Sequence, residues 1–147
     1  MRIISSAFEN NQKIPSKYTC DGENVNPPLQ FVDVPGSAKS LVLIVDDPDA
    51  PSKTWVHWVI YNIDPKISKI GENSKPEIGI EGMTNFGKPG WGGPCPPSGS
   101  HRYFFKLYAL DDMLNLTSGA GKKEVIDTMN SHVIASSELI GLYSRAK

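Results

Sequence analysis

Two side chains with hydrogen-bonding groups, His101 and Tyr103, stand at the start of a run that alternates like a β-strand, 101–110. Residues two apart in a strand point to the same face and lie about 6.6 Å apart. At that spacing an imidazole and a phenol can bind one tetrahedral anion together. The preceding segment, 92–99, is almost entirely glycine and proline, which predicts a stiff loop with polyproline geometry. The pattern predicts either an anion site delivered by a rigid loop or a proline-rich turn before a core strand with a capping histidine.

Three further polar side chains could serve the same site. Asp47 and Asp49 flank Pro48 just after the most apolar strand candidate, 40–45, and an extended chain there would direct both carboxylates to one side. His57 lies in the middle of another apolar run. Nearby carboxylates would fix its tautomer and raise its pKa. The alternatives are ordinary turn chemistry for the Asp-Pro-Asp sequence and a hydrogen-bonded core histidine.

Catalytic and metal chemistry fit the sequence less well. Cys95 could act as a thiolate nucleophile with His101 or His57 as its base, but it lies between prolines, without a neighbouring lysine to lower its pKa. The carboxylates and histidines lack the short helical spacing of zinc hydrolases. The sequence contains no P-loop, no dinucleotide-binding glycine pattern and no nucleophile elbow. We therefore expect no catalytic residue, no metal and no cofactor, and the protein is predicted not to be an enzyme.

Length and composition limit the class of protein. One domain, 1–147, is expected, and a chain of 147 residues can bury a full core. A net charge of −1 provides no basic footprint for nucleic acid. The N-terminus lacks the apolar core of a signal peptide and no run is long enough to span a membrane, so a soluble cytoplasmic protein is expected. Two cysteines, Cys20 and Cys95, are too few for a disulfide scaffold. The sequence leaves open whether they form a single disulfide bond with each other.

The segments that would position these residues are mainly strands. Strands are predicted at 2–8, 29–32, 40–45, 55–63, 101–110 and 139–143, with a short one near 78–80. The one predicted helix covers 122–135, and His132 near its end would interact with the helix dipole. The region 64–90 is predicted to form long irregular connections. An antiparallel β-sandwich is favoured over a parallel α/β fold, because helical crossovers between the strands are missing.

Two local features of the backbone can be predicted near the polar residues. In the strand 55–63, alternation places His57 on the same face as Val59 and Tyr61. The crowded sequence after the strand 40–45 requires a tight reversal, and a cis peptide bond is predicted at Ala50–Pro51.

Four motifs taken together resemble one known family. They are Asp-Asp-Pro-Asp-Ala-Pro at 46–51, Val-His-Trp-Val-Ile-Tyr-Asn-Ile at 56–63, Gly-Pro-Cys-Pro-Pro at 93–97 and His-Arg-Tyr-Phe at 101–104. The sequence is similar to the phosphatidylethanolamine-binding protein family, and within it to the bacterial and archaeal Raf-kinase-inhibitor-like branch. Segments 18–24, 27–29 and 138–143 also match that branch. The resemblance therefore runs in order along essentially the whole chain.

The resemblance implies a mainly β, Greek-key antiparallel sandwich with one helix in its C-terminal region and long loops. It also implies a small cavity at one end of the larger sheet that binds anions and phosphate headgroups. By motif match the cavity would be lined by Asp47, Asp49, His57, Pro97, His101 and Tyr103, with backbone amides near Gly93. Trp91 and Asn26 stand where Tyr and Ser are common in this branch. These two differences affect the expected rim of the cavity and leave the expected fold unchanged. Eukaryotic relatives carry terminal extensions that this sequence does not match, so kinase inhibition is not expected.

Charge decides how a ligand would lie in such a cavity. Phosphate placed against two ionised carboxylates would be repelled. The phosphate is therefore expected on His101, Tyr103 and loop amides, as charge-assisted hydrogen bonds. Asp47 or Asp49 would orient His57 or face an ammonium group, and proline rings would form an apolar wall.

These observations predict a non-enzymatic binding protein for a small phosphorylated or anionic ligand similar to phosphoethanolamine. A protein-interaction module that inhibits a serine protease or another enzyme is the alternative. A cysteine- or metal-dependent hydrolase is the third hypothesis. A nucleic-acid partner and a transmembrane segment are not expected, and monomer and homodimer both remain open.

Overall fold

The computed structural model describes residues 1–145 of the predicted domain 1–147, and its strands form two sheets. The elements are β1 (Arg2–Ile4), β2 (Gln12–Lys13), a 3-10 helix (Ser16–Tyr18), β3 (Leu29–Val32), β4 (Ser40–Asp47), β5 (Trp55–Ile63), β6 (Lys69–Ile70), β7 (Ile80–Glu81), β8 (His101–Leu110), α1 (Lys122–Met129) and β9 (Val133–Tyr143). The smaller sheet has the order β1-β3-β6 and the larger one β2-β9-β8-β4-β5-β7. The predicted mainly β fold with one helix is confirmed.

The topology explains why the ends of three strands meet. β8 follows a long connection and returns to pair with β4, which is the crossover of a Greek key. β4 is antiparallel to both β5 and β8. The end of β4 therefore lies beside the starts of β5 and β8. Among the strands described, β2 departs from the antiparallel expectation, since it is parallel to β9.

The larger sheet is covered on both faces. β4 is buried along its whole length, as its continuous apolar sequence predicts. On one face, Leu43 and Val45 pack with the smaller sheet in a core between the two sheets. On the other, Val42 and Ile44 pack beneath α1 in a second core. Burial on both faces holds the end of β4 in a fixed position.

The helix is shorter than predicted. It ends at Met129 rather than at residue 135, and β9 begins at Val133. β9 pairs with β8 from Val133 to Tyr143, so these hydrogen bonds and the β-branched residues at its start favour strand over a longer helix. His132 lies in the turn between them, and its Nδ1 is 2.8 Å from Oδ1 of Asp111.

Within residues 1–145 no helix is long and apolar enough to cross a membrane.

Other boundaries differ in detail. β3, β5 and β8 have the predicted bounds, whereas β1 ends at Ile4 rather than at residue 8, and β4 extends to Asp47. The short strand predicted at 78–80 is β7, Ile80–Glu81. The predictions missed β2 and β6, each of which has two residues. Two residues are too few to produce a periodic pattern.

The prediction of a cis bond at Ala50–Pro51 is wrong, because every peptide bond within the described residues is trans. The reversal is achieved by other means. Oδ1 of Asp47 accepts a hydrogen bond from the backbone N–H of Asp49 at 2.8 Å, which is an Asx turn. Ser52 then adopts a positive φ of 69°, and this left-handed residue changes the chain direction without a cis bond.

Candidate functional site

A cavity of about 270 Å³ lies where the end of β4 meets the starts of β5 and β8. Five of the residues predicted from the sequence line it, namely Asp47, His57, Pro97, His101 and Tyr103. The predictions missed six further lining residues, which are Ala50, Pro51, Trp55, Phe86, Cys95 and Pro96. Four of these six, Ala50, Pro51, Cys95 and Pro96, belong to the motifs at 46–51 and 93–97, and this could have identified them. The cavity thus combines one carboxylate, two imidazoles and a phenol with a largely apolar wall.

His57 reaches the cavity because of a β-bulge. Val45 pairs with Trp58 whereas Asp46 pairs with Val56, so His57 is an extra residue in β5. A bulge of this kind places the extra residue and its neighbour on the same side of the sheet. The His57 ring accordingly contacts the ring of Tyr103, with 5.2 Å between centroids. The predicted placement of His57 on the face of Val59 and Tyr61 is therefore wrong.

The buried pair of the site is His101 with Asp47. Nδ1 of His101 lies 2.7 Å from Oδ2 of Asp47, and both side chains are less than a tenth exposed. A carboxylate accepts hydrogen bonds only, so Nδ1 carries a proton and donates it to Asp47. Nε2 of His101 therefore holds a lone pair in the neutral ring and a second N–H in the imidazolium. Asp47, one of two carboxylates expected either to orient His57 or to face an ammonium group, orients His101 instead.

His57 is oriented by the backbone. Its Nδ1 lies 2.6 Å from the carbonyl oxygen of Gly92, and the Gly92 N–H donates to the His57 carbonyl oxygen at 3.1 Å. Because a carbonyl can only accept, Nδ1–H is the donor and Nε2 is left with the lone pair of the neutral ring. Burial lowers the pKa of His57 below its ordinary value. At neutral pH His57 is therefore mainly uncharged.

Tyr103 places a hydroxyl group without a partner in the cavity. Its oxygen is buried and makes no hydrogen bond of good geometry with a described residue, although the Asp47 carboxylate is close enough to attract its proton. Burial and, to a lesser degree, the negative charge of Asp47 raise the pKa of Tyr103 well above its ordinary value. The phenol therefore stays protonated and is a hydrogen-bond donor. A buried donor without an acceptor is costly, and native structures rarely contain one without a reason.

Asp49 lies outside the cavity. Its two carboxylate oxygens accept hydrogen bonds from Nε and Nη2 of Arg102 at 2.9 and 2.8 Å. These bonds lower the pKa of Asp49 to about 2. Consecutive residues of a strand point to opposite faces, so Arg102 and the carboxylate it binds lie away from His101. Asp49 stiffens the turn after β4 rather than facing the cavity.

The amide of Gly93 is not directed into the cavity. It donates to Oδ1 of Asn24 at 2.9 Å, and the structure thus does not bring this predicted donor to the site. Gly93 is packed too tightly for any side chain, because a Cβ atom there would overlap Asn24 Oδ1 and the backbone carbonyl oxygen of Tyr18. Gly93 therefore holds the loop before the cavity against the segment around Asn24.

Gly93→Ala is expected to lower the free energy of unfolding by about 1–3 kcal/mol, because the new methyl group overlaps backbone atoms that cannot move independently. Urea denaturation of the two proteins measures the change. Gly36→Ala is the matched control, since a Cβ atom at Gly36 meets no atom within 4 Å. Equal destabilisation by the two substitutions would contradict the tight packing of Gly93.

Aromatic rings form the apolar wall. The ring of Phe86 contacts Trp55 and His57 edge-on, with centroid distances of 5.7 and 5.4 Å. Phe86 belongs to the irregular region 64–90, and Asn85 ties that region to β5 through a backbone bond to Val56. Loop residues of this kind have no periodic signal, which is why the sequence did not identify Phe86. The polar side chains of the cavity are accordingly little exposed to solvent.

Neither Trp91 nor Asn26 lines this cavity. Trp91 stacks on Phe105, with 6.0 Å between ring centroids, and packs against the core. Asn26 is buried and binds the carbonyl oxygen of Gly71 at 3.0 Å. The two departures from the residues common in the branch therefore leave the cavity wall unchanged.

Within residues 1–145 no group of three His, Cys, Asp or Glu side chains is arranged to hold a metal ion.

Comparisons with known proteins agree on one family. The model of the phosphatidylethanolamine-binding protein family matches residues 4–144. The UPF0098 protein of Methanothermobacter thermautotrophicus is 53% identical, with 99% of each chain covered. The UPF0098 protein of Pyrococcus horikoshii is 51% identical over 97% of this chain and 76% of its own. These names assign no activity.

Two solved structures are similar over nearly the full chain. A structure from Chlamydia trachomatis, described as a phosphatidylethanolamine-binding protein homologue, has a TM-score of 0.95 at 41% identity and covers 99% of this chain and 97% of its own. The YbcL protein of E. coli, described as a member of the mammalian family, has a TM-score of 0.91 at 28% identity, with 99% and 98% covered. Because the family model matches almost the whole of this chain, the chain belongs to the phosphatidylethanolamine-binding protein family.

Proposed function

We propose that the cavity binds the phosphate group of a small phosphorylated ligand and that the protein does so without catalysis. The observation that carries the proposal is the buried hydroxyl of Tyr103, a donor with no partner among the described residues. The ring of Tyr103 packs against both imidazoles, with 5.2 Å to the centroid of His57 and 6.5 Å to that of His101. A tetrahedral oxyanion supplies several acceptors at once and would satisfy this donor.

The two histidines complete the set of donors when they are protonated. Each has its Nδ1 occupied, His57 by Gly92 and His101 by Asp47. Nε2 is then the atom left for a ligand in both rings, and it donates only in the imidazolium form. Asp47 balances the positive charge of a protonated His101. A bound anion would add a second balancing charge.

Three features argue against catalysis. The high pKa of Tyr103 keeps it a donor rather than a base. The disulfide bond between Cys20 and Cys95 removes the thiol that a cysteine hydrolase would require. Among the residues that line the cavity, no hydroxyl or thiol is hydrogen-bonded to a histidine, since His57 binds Gly92 and His101 binds Asp47. Binding is the function that these groups support.

The size of the cavity favours a headgroup-sized ligand. Pockets for drug-sized molecules range from about 300 to 1,000 Å³, and this one has about 270 Å³. Its apolar wall of Trp55, Phe86 and Pro97 suits the short carbon chain of a phosphorylated alcohol or amine. Inhibition of a protease through region 64–90 is the second candidate, because that region exposes Ile78 and Met83 as well as Phe86, of which only Phe86 lines the cavity.

Removal of the Tyr103 hydroxyl tests the proposal directly. Tyr103→Phe is expected to weaken phosphoethanolamine binding by roughly five- to tenfold, the contribution of one donor. Isothermal titration calorimetry on the wild type and the variant measures the change. Tyr108→Phe is the matched control, because Tyr108 is a partly buried tyrosine on the opposite face of β8 and outside the cavity. An unchanged affinity in Tyr103→Phe, or no binding by the wild type, would refute the proposal.

Binding should take up protons at neutral pH. The low pKa of His57 leaves it neutral in the free protein, and it must gain a proton before Nε2 can donate to an anion. Affinity is therefore expected to fall as pH rises from mildly acidic to mildly basic. Calorimetry in two buffers of different ionisation enthalpy counts the protons. His57→Gln should reduce proton uptake. Protons that the ligand itself gains or loses are the same for both proteins, so the difference between the proteins reports on His57. Equal uptake by both proteins would show that His57 does not participate.

A further inference from the structure

The disulfide bond Cys20–Cys95 connects the cavity wall to the N-terminal part of the chain. The two cysteines are 75 residues apart in sequence and both are exposed to solvent. Cys95 lines the cavity, together with the two prolines that follow it. The bond therefore joins two exposed residues at a position next to the candidate binding site.

The wall segment 95–100 has few other attachments. In the described part of the chain, no hydrogen bond involves a backbone or side-chain atom of these six residues. Pro96 and Pro97 have no N–H to donate. On one side, the nearest bond is that from the Cys20 N–H to the Pro94 carbonyl oxygen at 3.1 Å. On the other, β8 begins at His101 with its pairing to β9.

Pro96 adds a packing restraint, since it is buried whereas Cys95, Pro97 and Ser98 are exposed. The disulfide bond is consequently the main tether of a segment that carries part of the cavity wall. A binding site with a fixed wall loses less conformational entropy when a ligand binds than a site with a mobile one. The state of this bond should therefore affect affinity.

We propose that the Cys20–Cys95 disulfide is a redox-sensitive tether of the cavity, and that its reduction frees segment 95–100 and weakens binding of phosphorylated ligands. The statement about affinity rests on the proposed function. The reductant is a dithiol. One of its thiolates attacks a sulfur of the protein bond and its second thiol resolves the mixed disulfide. The protein gains two electrons and two protons as Cys20 and Cys95 become thiols, and the dithiol becomes a disulfide.

The test compares oxidised and reduced wild-type protein in two measurements. Calorimetric titration with phosphoethanolamine and with inorganic phosphate should show at least about fivefold weaker binding after reduction by dithiothreitol. Backbone 15N relaxation should show new fast motion at Ser98, Gly99 and Ser100, with β8 unchanged. Reoxidation should restore both values. The double variant Cys20→Ser/Cys95→Ser should behave like the reduced protein and should not respond to dithiothreitol.

The outcomes separate the two proposals. If the oxidised protein binds neither phosphate compound, the proposed function fails, and the claim about affinity fails with it. If the oxidised protein binds and reduction leaves affinity and wall motion unchanged, the tether inference fails while the proposed function stands. If reduction broadens the signals of the whole of β8 and β9, the bond maintains the fold rather than the wall, which also refutes the inference. Weaker binding with motion confined to the wall segment supports it.

Discussion

The double replacement Cys20→Ser/Cys95→Ser is expected to lower the free energy of unfolding by roughly 4 kcal/mol, the largest effect that we predict for this protein. The bond closes a loop with a sequence separation of 75 residues. Removing it allows the unfolded chain many more conformations, and this entropy grows with the logarithm of the loop length. Guanidinium chloride denaturation of oxidised wild type and of the variant measures the difference.

Reduced wild-type protein is the control for the two serine side chains, and its stability should match that of the double variant. The variant should still fold, because the core between the two sheets contains twenty buried residues and neither cysteine is among them. A loss below about 1 kcal/mol would be less than the usual range for removal of a native bond. It would mean that the bond contributes little to the stability of the folded chain.

His101→Ala is expected to weaken phosphoethanolamine binding by about ten- to hundredfold. The substitution removes a charge-assisted donor, an effect of roughly 1.5–3 kcal/mol, and it leaves the buried carboxylate of Asp47 facing the ligand without its partner. The carboxylate would then repel the phosphate. Calorimetric titration of phosphoethanolamine into the wild type and the variant measures the loss.

The chain offers a matched control for this substitution. His132 also places Nδ1 at 2.8 Å from an aspartate oxygen, that of Asp111, but it lies on the surface and away from the cavity. His132→Ala should leave the affinity unchanged. If both histidine variants bind as tightly as the wild type, the anion binds elsewhere.

Much of the fold could be predicted from the sequence alone. Continuous apolar residues predicted β4 as a strand buried on both faces, and alternation predicted the full extent of β5 and β8. These patterns are local consequences of a two-residue period. The end of the helix could not be predicted from the local pattern, because residues 133–135 could continue a helical pattern. Pairing with β8 makes them a strand.

The residues of the cavity were also predictable, whereas their hydrogen-bond partners were not. Asp47, His57, His101 and Tyr103 were predicted from their chemical types and from the motifs around them, and all four line the cavity. Two carboxylates and two imidazoles allow several pairings. The pairing that forms depends on distances between residues of different strands. These distances cannot be read from the sequence without knowledge of the fold.

The bulge at His57 shows most clearly what tertiary structure decided. Strict alternation would place this imidazole beneath α1 with Val59 and Tyr61, away from Tyr103. One unpaired residue in β5 places it on the other side of the sheet, next to Tyr103. Similarly, the sequence contained two cysteines, but only the fold brings their Cα atoms to 5.5 Å and so permits the bond. The sequence determined which groups are available, and contacts between distant segments determined their partners, because such contacts depend on long-range register and not on local periodicity.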